Sequence, residues 1–211
     1  MRKPYLFLLL VIALAWIGEA ACKKSDSSVG QAAFAAPDYP LAVGNSWKYK
    51  VTDFYSKVTD TLDLSITDMQ ALPDGTKIYR CDISQNGILA DSGAFTAGNN
   101  TLAYSGLNPN AYSYFGNFKL KFPFTPGDRW IGFYPNDTVH VVSEANPVTI
   151  LGQAYPHAFS LKRGFALVGD YSLVQFMLLS PGVGVINQNI NIFNGGPSQN
   201  QGFDLISYRI Q

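Results

Sequence analysis

From Trp47 onward the apolar residues of this chain recur every second position, and this period constrains the fold more than any other feature. Trp47, Tyr49 and Val51 alternate with Lys48, Lys50 and Thr52. Leu62, Leu64 and Ile66 alternate with Asp63, Ser65 and Thr67, and Tyr79, Cys81 and Ile83 with Arg80 and Asp82. A period of two places successive side chains on opposite faces of a strand, one dry and one wet. Further strands are expected at 101–104, 118–122, 130–134, 138–143, 154–162, 173–179, 184–193 and 203–210. Turn-forming clusters separate them, such as Pro73-Asp74-Gly75, Asn108-Pro109-Asn110, Pro126-Gly127-Asp128, Pro135-Asn136-Asp137 and Asn194-Gly195-Gly196. No stretch has a convincing helical period. The expected fold is all-β: a single antiparallel domain, either a curled sheet or incompletely closed barrel, or a β-sandwich.

Composition narrows the function. The chain has 211 residues, with 15 basic and 15 acidic side chains and only 14% charged. Nucleic acid is not an expected partner, because phosphate binding requires clustered positive charge.

The N-terminus has the form of an export signal. Arg2 and Lys3 precede the apolar run Leu6–Ile17. That run is shorter than the roughly 20 residues needed to span a bilayer and suits a signal peptide. Ala20-Ala21-Cys22 resembles the end of a bacterial lipobox, in which Cys22 becomes the acylated first residue. Glu19 stands where such motifs usually carry an aliphatic residue, which leaves ordinary cleavage after Ala20 open. The expected organisation is a signal peptide over 1–21, a lipidated flexible tether over 22–37 and an antiparallel β domain over 38–211. Cleavage removes Arg2, Lys3 and Glu19 and leaves 13 basic and 14 acidic residues. The second cysteine, Cys81, is expected to be a small buried hydrophobe. If Cys22 carries no lipid, a Cys22–Cys81 disulfide is the competing arrangement.

One spacing occurs twice. Pro40-Leu-Ala-Val-Gly44-Asn45-Ser-Trp47 and Pro123-Phe-Thr-Pro-Gly127-Asp128-Arg-Trp130 both read P-x-x-x-G-[N/D]-x-W. Glycine supplies a positive φ in a turn, Asn or Asp tolerates one, and Trp then enters a strand as a core anchor. This is either one strand-entry device used twice, the preferred reading, or the mark of two similar halves.

The first copy also resembles the start of the folded part in a broad group of bacterial lipoproteins of the Bacteroidota, which open with a similar P-L-x-V-G-N-x-W-x-Y. Phe122–Trp130 and Pro181-Gly-Val-Gly-Val-Ile186 resemble later segments of that group, so the likeness spans about Pro40 to Ile186. It implies an antiparallel sheet curled into an incompletely closed barrel, similar to periplasmic lipoprotein carriers. It implies an envelope location, with the outer membrane as the expected site, and no reaction. Fold analogy supplies no function.

The search for catalytic motifs is negative. The sequence has no nucleophile elbow, zinc-protease motif, P-loop, dinucleotide fingerprint or calcium loop. No cofactor, metal site or catalytic residue is expected. His140 and His157 have no Cys, Asp or Glu at ligand spacing, and the aspartates are expected at turns and on wet strand faces. A glycan-hydrolase pair is a remote alternative.

The binding candidates are rings. Tyr104, Tyr112, Tyr114, Phe115, Phe118 and Trp130 lie in an aromatic-rich region broken by Asn, Gly and Pro. They would line a cavity for a lipid or other apolar ligand, or fill the core. The amide-rich stretch 188–201 is a polar hairpin loop or a glycan contact. Asp60-Thr61-Leu62 and Asp137-Thr138-Val139 resemble the D-[S/T]-aliphatic O-glycosylation acceptor of Bacteroidota, with Thr61 and Thr138 as the modified residues. The leading expectation is a non-enzymatic binding module on a lipid anchor. The alternative is an assembly protein that pairs exposed strands with another envelope component.

Overall fold

The computed structural model of the chain describes residues 38–106, 116–166, 171–194 and 199–211. These contain fourteen strands and no α-helix. The first six are β1 (Ser46–Asp53), β2 (Thr59–Ala71), β3 (Lys77–Gln85), β4 (Ile88–Gly98), β5 (Thr101–Gly106) and β6 (Phe118–Lys121). Then follow β7 (Arg129–Ile131), β8 (Thr138–Ala145), β9 (Val148–Ile150), β10 (Gln153–Tyr155), β11 (Ala158–Ala166), β12 (Tyr171–Ser180), β13 (Gly184–Asn194) and β14 (Gln199–Arg209). Twelve form one antiparallel sheet in the order β6-β5-β4-β3-β2-β1-β14-β13-β12-β11-β8-β7. The sheet is nearly closed into a barrel, with one unsealed seam between β6 and β7. β9 and β10 form a separate hairpin.

Each half of the barrel is a six-stranded meander, β1–β6 in one and β7, β8 and β11–β14 in the other. The repeated tryptophan motif opens both. Gly44 and Gly127 each adopt a positive φ, +90° and +97°. The Asn45 amide donates to Ala42 O and the Asp128 amide to Thr125 O. Gly44 N and Gly127 N donate to Ile66 O and Val141 O on the neighbouring strands, whose own amides donate back to Asn45 O and Asp128 O. The sequence echo is therefore one backbone structure built twice, at the start of two topologically matching halves.

The alternating apolar residues fill the interior. Trp47, Tyr49, Leu62, Leu64, Cys81, Ile83, Val139, Val141, Phe203 and Leu205 are all buried. Trp47 Nε1 donates to Val183 O (2.6 Å) and Tyr49 Oη to Val185 O (2.9 Å), tying β1 to the β12–β13 turn and the start of β13. Each buried ring thus satisfies its polar tip on backbone.

Three sequence expectations need correction. β4 was not anticipated, because its Gly and Ala residues blur the period. The expected strand 154–162 is divided between β10 and β11, leaving His157 between them. Asp137 is fully buried rather than on a wet face.

Candidate functional site

The aromatic wall begins with β4–β6. Phe95 stands opposite Tyr104 in the β4–β5 register, and Tyr104 opposite Phe118 in β5–β6. Because facing side chains in antiparallel strands lie about 5 Å apart, three rings on one face must meet. Phe95 and Tyr104 have centroids 5.0 Å apart, and Tyr104 and Phe118 5.7 Å. Tyr104 and Phe118 are both 0% exposed, so neither ring borders a void that admits water. Gly93 makes room for Tyr104: a Cβ there would sit 2.7 Å from the phenol oxygen. Of the other ring candidates, Tyr112, Tyr114 and Phe115 lie outside the described residues, as does Cys22. Trp130 is half-buried at the seam and stacks on Phe124 at 5.9 Å with planes 7° apart.

No strand ladder joins β6 to β7, but side chains do. Trp130 Nε1 donates to Lys119 O at 2.8 Å. Asn117, just before β6, accepts a bond from Arg163 Nη1 at its carbonyl and donates from Nδ2 to Tyr134 Oη at 3.1 Å.

Arg163 leads from the seam to an unexpected polar group inside the barrel. Its Nε donates to Asp137 Oδ2 at 2.7 Å and its Nη1 to Gln175 Oε1 at 3.0 Å. Arg163, Asp137, Gln175 and the nearby-strand Gln188 are each at most 1% exposed. Burial pulls the Arg163 pKa below its ordinary value, and the adjacent Asp137 charge opposes that shift. Asp137 Oδ1 and Gln175 Nε2 are buried without a hydrogen-bond partner among the described residues. Buried polar atoms are normally satisfied, and these two depart from that rule within the described residues. Sequence reasoning missed the set because Asp137 reads as a turn residue and Arg163 falls just past the end of the expected strand 154–162. The one available signal was that Arg163 shares the parity of the apolar Phe159 and Leu161.

Other candidates resolve locally. A cleft of about 230 Å³ is lined in part by Asp53, Asp60, Gln85 and Gln201, below the roughly 300 Å³ of ordinary ligand pockets. Its carboxylates are engaged. Asp53 accepts from the Tyr55 and Ser56 amides, which hold its pKa down, and Asp60 from Gln85 and Asn86. His157 meets an acid that sequence spacing does not reveal: its Nδ1 lies 3.1 Å from Glu144 Oε1, 13 residues away. Among the described residues, no group of three or more His, Cys, Asp or Glu could hold a metal. Cys81 is a buried free thiol. Thr61 is half-buried beside Asn86, and Thr138 is exposed although its neighbour Asp137 is not.

No protein family and no curated protein matches the chain in sequence. Similarity appears among solved structures. One is a protein from Bacteroides fragilis designated exported, with a YmcC-like fold. It superposes with a TM-score of 0.53 at 12% identity, covering 84% of this chain and 99% of its own. Another, a protein from Parabacteroides distasonis designated a lipoprotein, gives 0.44 at 11% identity, covering 85% and 100%. The second superposition is too loose to carry an argument. The first shows the shared fold.

Proposed function

We propose that this chain is an exported envelope protein, acylated at Cys22, whose barrel is a non-enzymatic binding module for a lipid or other apolar ligand with a polar end. The observation that carries this reading is the unmatched pair of polar atoms, Asp137 Oδ1 and Gln175 Nε2, inside an apolar barrel. A purely structural core gains little from a buried ion pair, since a well-packed apolar replacement is often as stable. The seam supports the same reading, because parting β6 from β7 breaks no ladder. A Bacteroides protein designated exported shares the fold, in keeping with export.

The assembly alternative has less support. The two free strand edges face each other, and β6 carries the exposed Lys119 and Lys121, a device that discourages pairing with foreign strands.

Two experiments test the proposal. Labelled palmitate should enter the wild-type protein and not Cys22→Ser. A fluorescent apolar probe should bind the exported Cys22→Ser protein and be weakened by Gln175→Leu. Probe binding that is unaffected by Gln175→Leu would remove the interior site from the reading.

A further inference from the structure

On much of the barrel's outer face, the strand register sets opposite charges against each other. Lys48 faces Asp63 and lies 3.5 Å from its carboxylate. Lys50 faces Asp204, and Arg80 faces Asp68. Strands β7, β8 and β11 break this pattern. Arg129 faces His140 from one side, and Lys162 faces it from the other. Neither cation is set against a carboxylate in these ladders. Lys119 and Lys121 continue the row on β6, across the seam that Trp130 bridges. Lys119, Lys121, Arg129 and Lys162 are all exposed, and none forms an ion pair among the described residues.

The acids of this region are already engaged. Asp128 accepts the Thr125 amide, Asp137 is buried on Arg163, and Glu144 contacts Asn146 and His157. Exposed apolar side chains stand among the cations: Ile131, Val142 and Phe176. Lys162 Nζ lies 5.6 Å from the Phe176 ring centre.

We propose that this basic face docks on the anionic phospholipid headgroups of a bilayer. Charge complementarity selects an anionic surface. The interspersed aliphatic and aromatic side chains suit a headgroup layer, where basic groups meet phosphates and apolar groups enter the acyl boundary. The geometry permits contact if the anchor proposed at Cys22 is in place. At about 3.3 Å per residue, the segment 22–37 reaches roughly 50 Å, more than the ~43 Å of the longest strand, β2. The barrel can therefore lie on its side against the membrane that holds it.

The test uses the full-length gene with Cys22→Ser, exported and purified without acyl chains, so that binding does not depend on the anchor. Sedimentation with vesicles of phosphatidylglycerol in phosphatidylcholine should capture the protein, and pure phosphatidylcholine should not. The triple variant Lys119→Gln/Arg129→Gln/Lys162→Gln should lower partition about a hundredfold, at about fivefold per lost cation. Raising the salt should weaken binding of the parent. The control Lys48→Gln/Lys50→Gln/Arg80→Gln changes net charge equally on other strands and should bind like the parent. Equal loss in both triple variants, or equal binding to neutral vesicles, would overturn the proposal. Capture by polyglutamate but not by vesicles would overturn it in favour of an acidic protein partner. Thermal melts of both variants check folding. Mass spectrometry of the unsubstituted protein tests the anchor separately.

Discussion

Trp130 on β7 donates its indole N–H to the carbonyl of Lys119 on β6 at 2.8 Å, across the one place where the barrel has no strand ladder. The two edges are held by side chains that separate without unzipping a sheet. Trp130→Phe keeps the apolar ring and removes the donor. It should cost about 1 kcal/mol, the usual net value of one hydrogen bond, and speed amide exchange in β6 but not in β1 or β14. Trp130→Ala also loses the stack on Phe124 and should cost about 3 kcal/mol. Hydrogen-exchange mass spectrometry with urea melts distinguishes the two losses.

The Arg163–Asp137 pair should behave as a buried pair, not a surface one. Arg163→Met alone strands the Asp137 carboxylate and should cost about 3–5 kcal/mol. Adding Asp137→Asn should recover much of that loss, because no uncompensated charge remains. Urea denaturation of the two single variants and the double variant gives the coupling.

The ring stack on β4–β6 separates core from ligand site. Phe118→Ala should cost about 3–5 kcal/mol as a large core truncation. A small change in melting temperature combined with lost probe binding would instead make Phe118 part of the ligand surface.

Stability should fall in alkali. Burial pushes the Cys81 thiol up to about 12 and raises the Tyr39, Tyr49 and Tyr155 phenols above their ordinary value of 10.0. The folded chain then keeps protons that the unfolded chain releases. Stability is complete below the unfolded thiol value of 9.0 and declines as pH rises above it. Phenolate absorbance should appear cooperatively with loss of β-sheet circular dichroism. Cys81 should resist alkylation at neutral pH until the chain is unfolded.

Much of the barrel was legible because alternation reports a half-wet strand directly. β1, β2 and β3 follow from Trp47–Val51, Leu62–Ile66 and Tyr79–Ile83, and the Gly44 and Gly127 turns from their motifs. β4 escaped because Ala90, Gly93, Ala94, Ala97 and Gly98 carry too little apolar contrast to show a period. The Arg163–Asp137–Gln175 set escaped for a different reason. Its members come from a turn and two strands, and only the β11–β12 register and the closure of the barrel bring them together. Strand register also creates the Arg129–His140–Lys162 row, which sequence spacing alone does not reveal. The rings Tyr104 and Phe118 were visible as a cluster, but whether rings face a cavity or one another is decided by packing.

The central claim is that the barrel holds a ligand. The most direct measurement is native mass spectrometry of the exported Cys22→Ser protein, purified gently from its host. The account expects a reproducible added mass that organic solvent removes, whose fragments identify a lipid or another apolar molecule with a polar end, and which Gln175→Leu diminishes. A clean ligand-free mass from several hosts, with no uptake of added lipid, would contradict it.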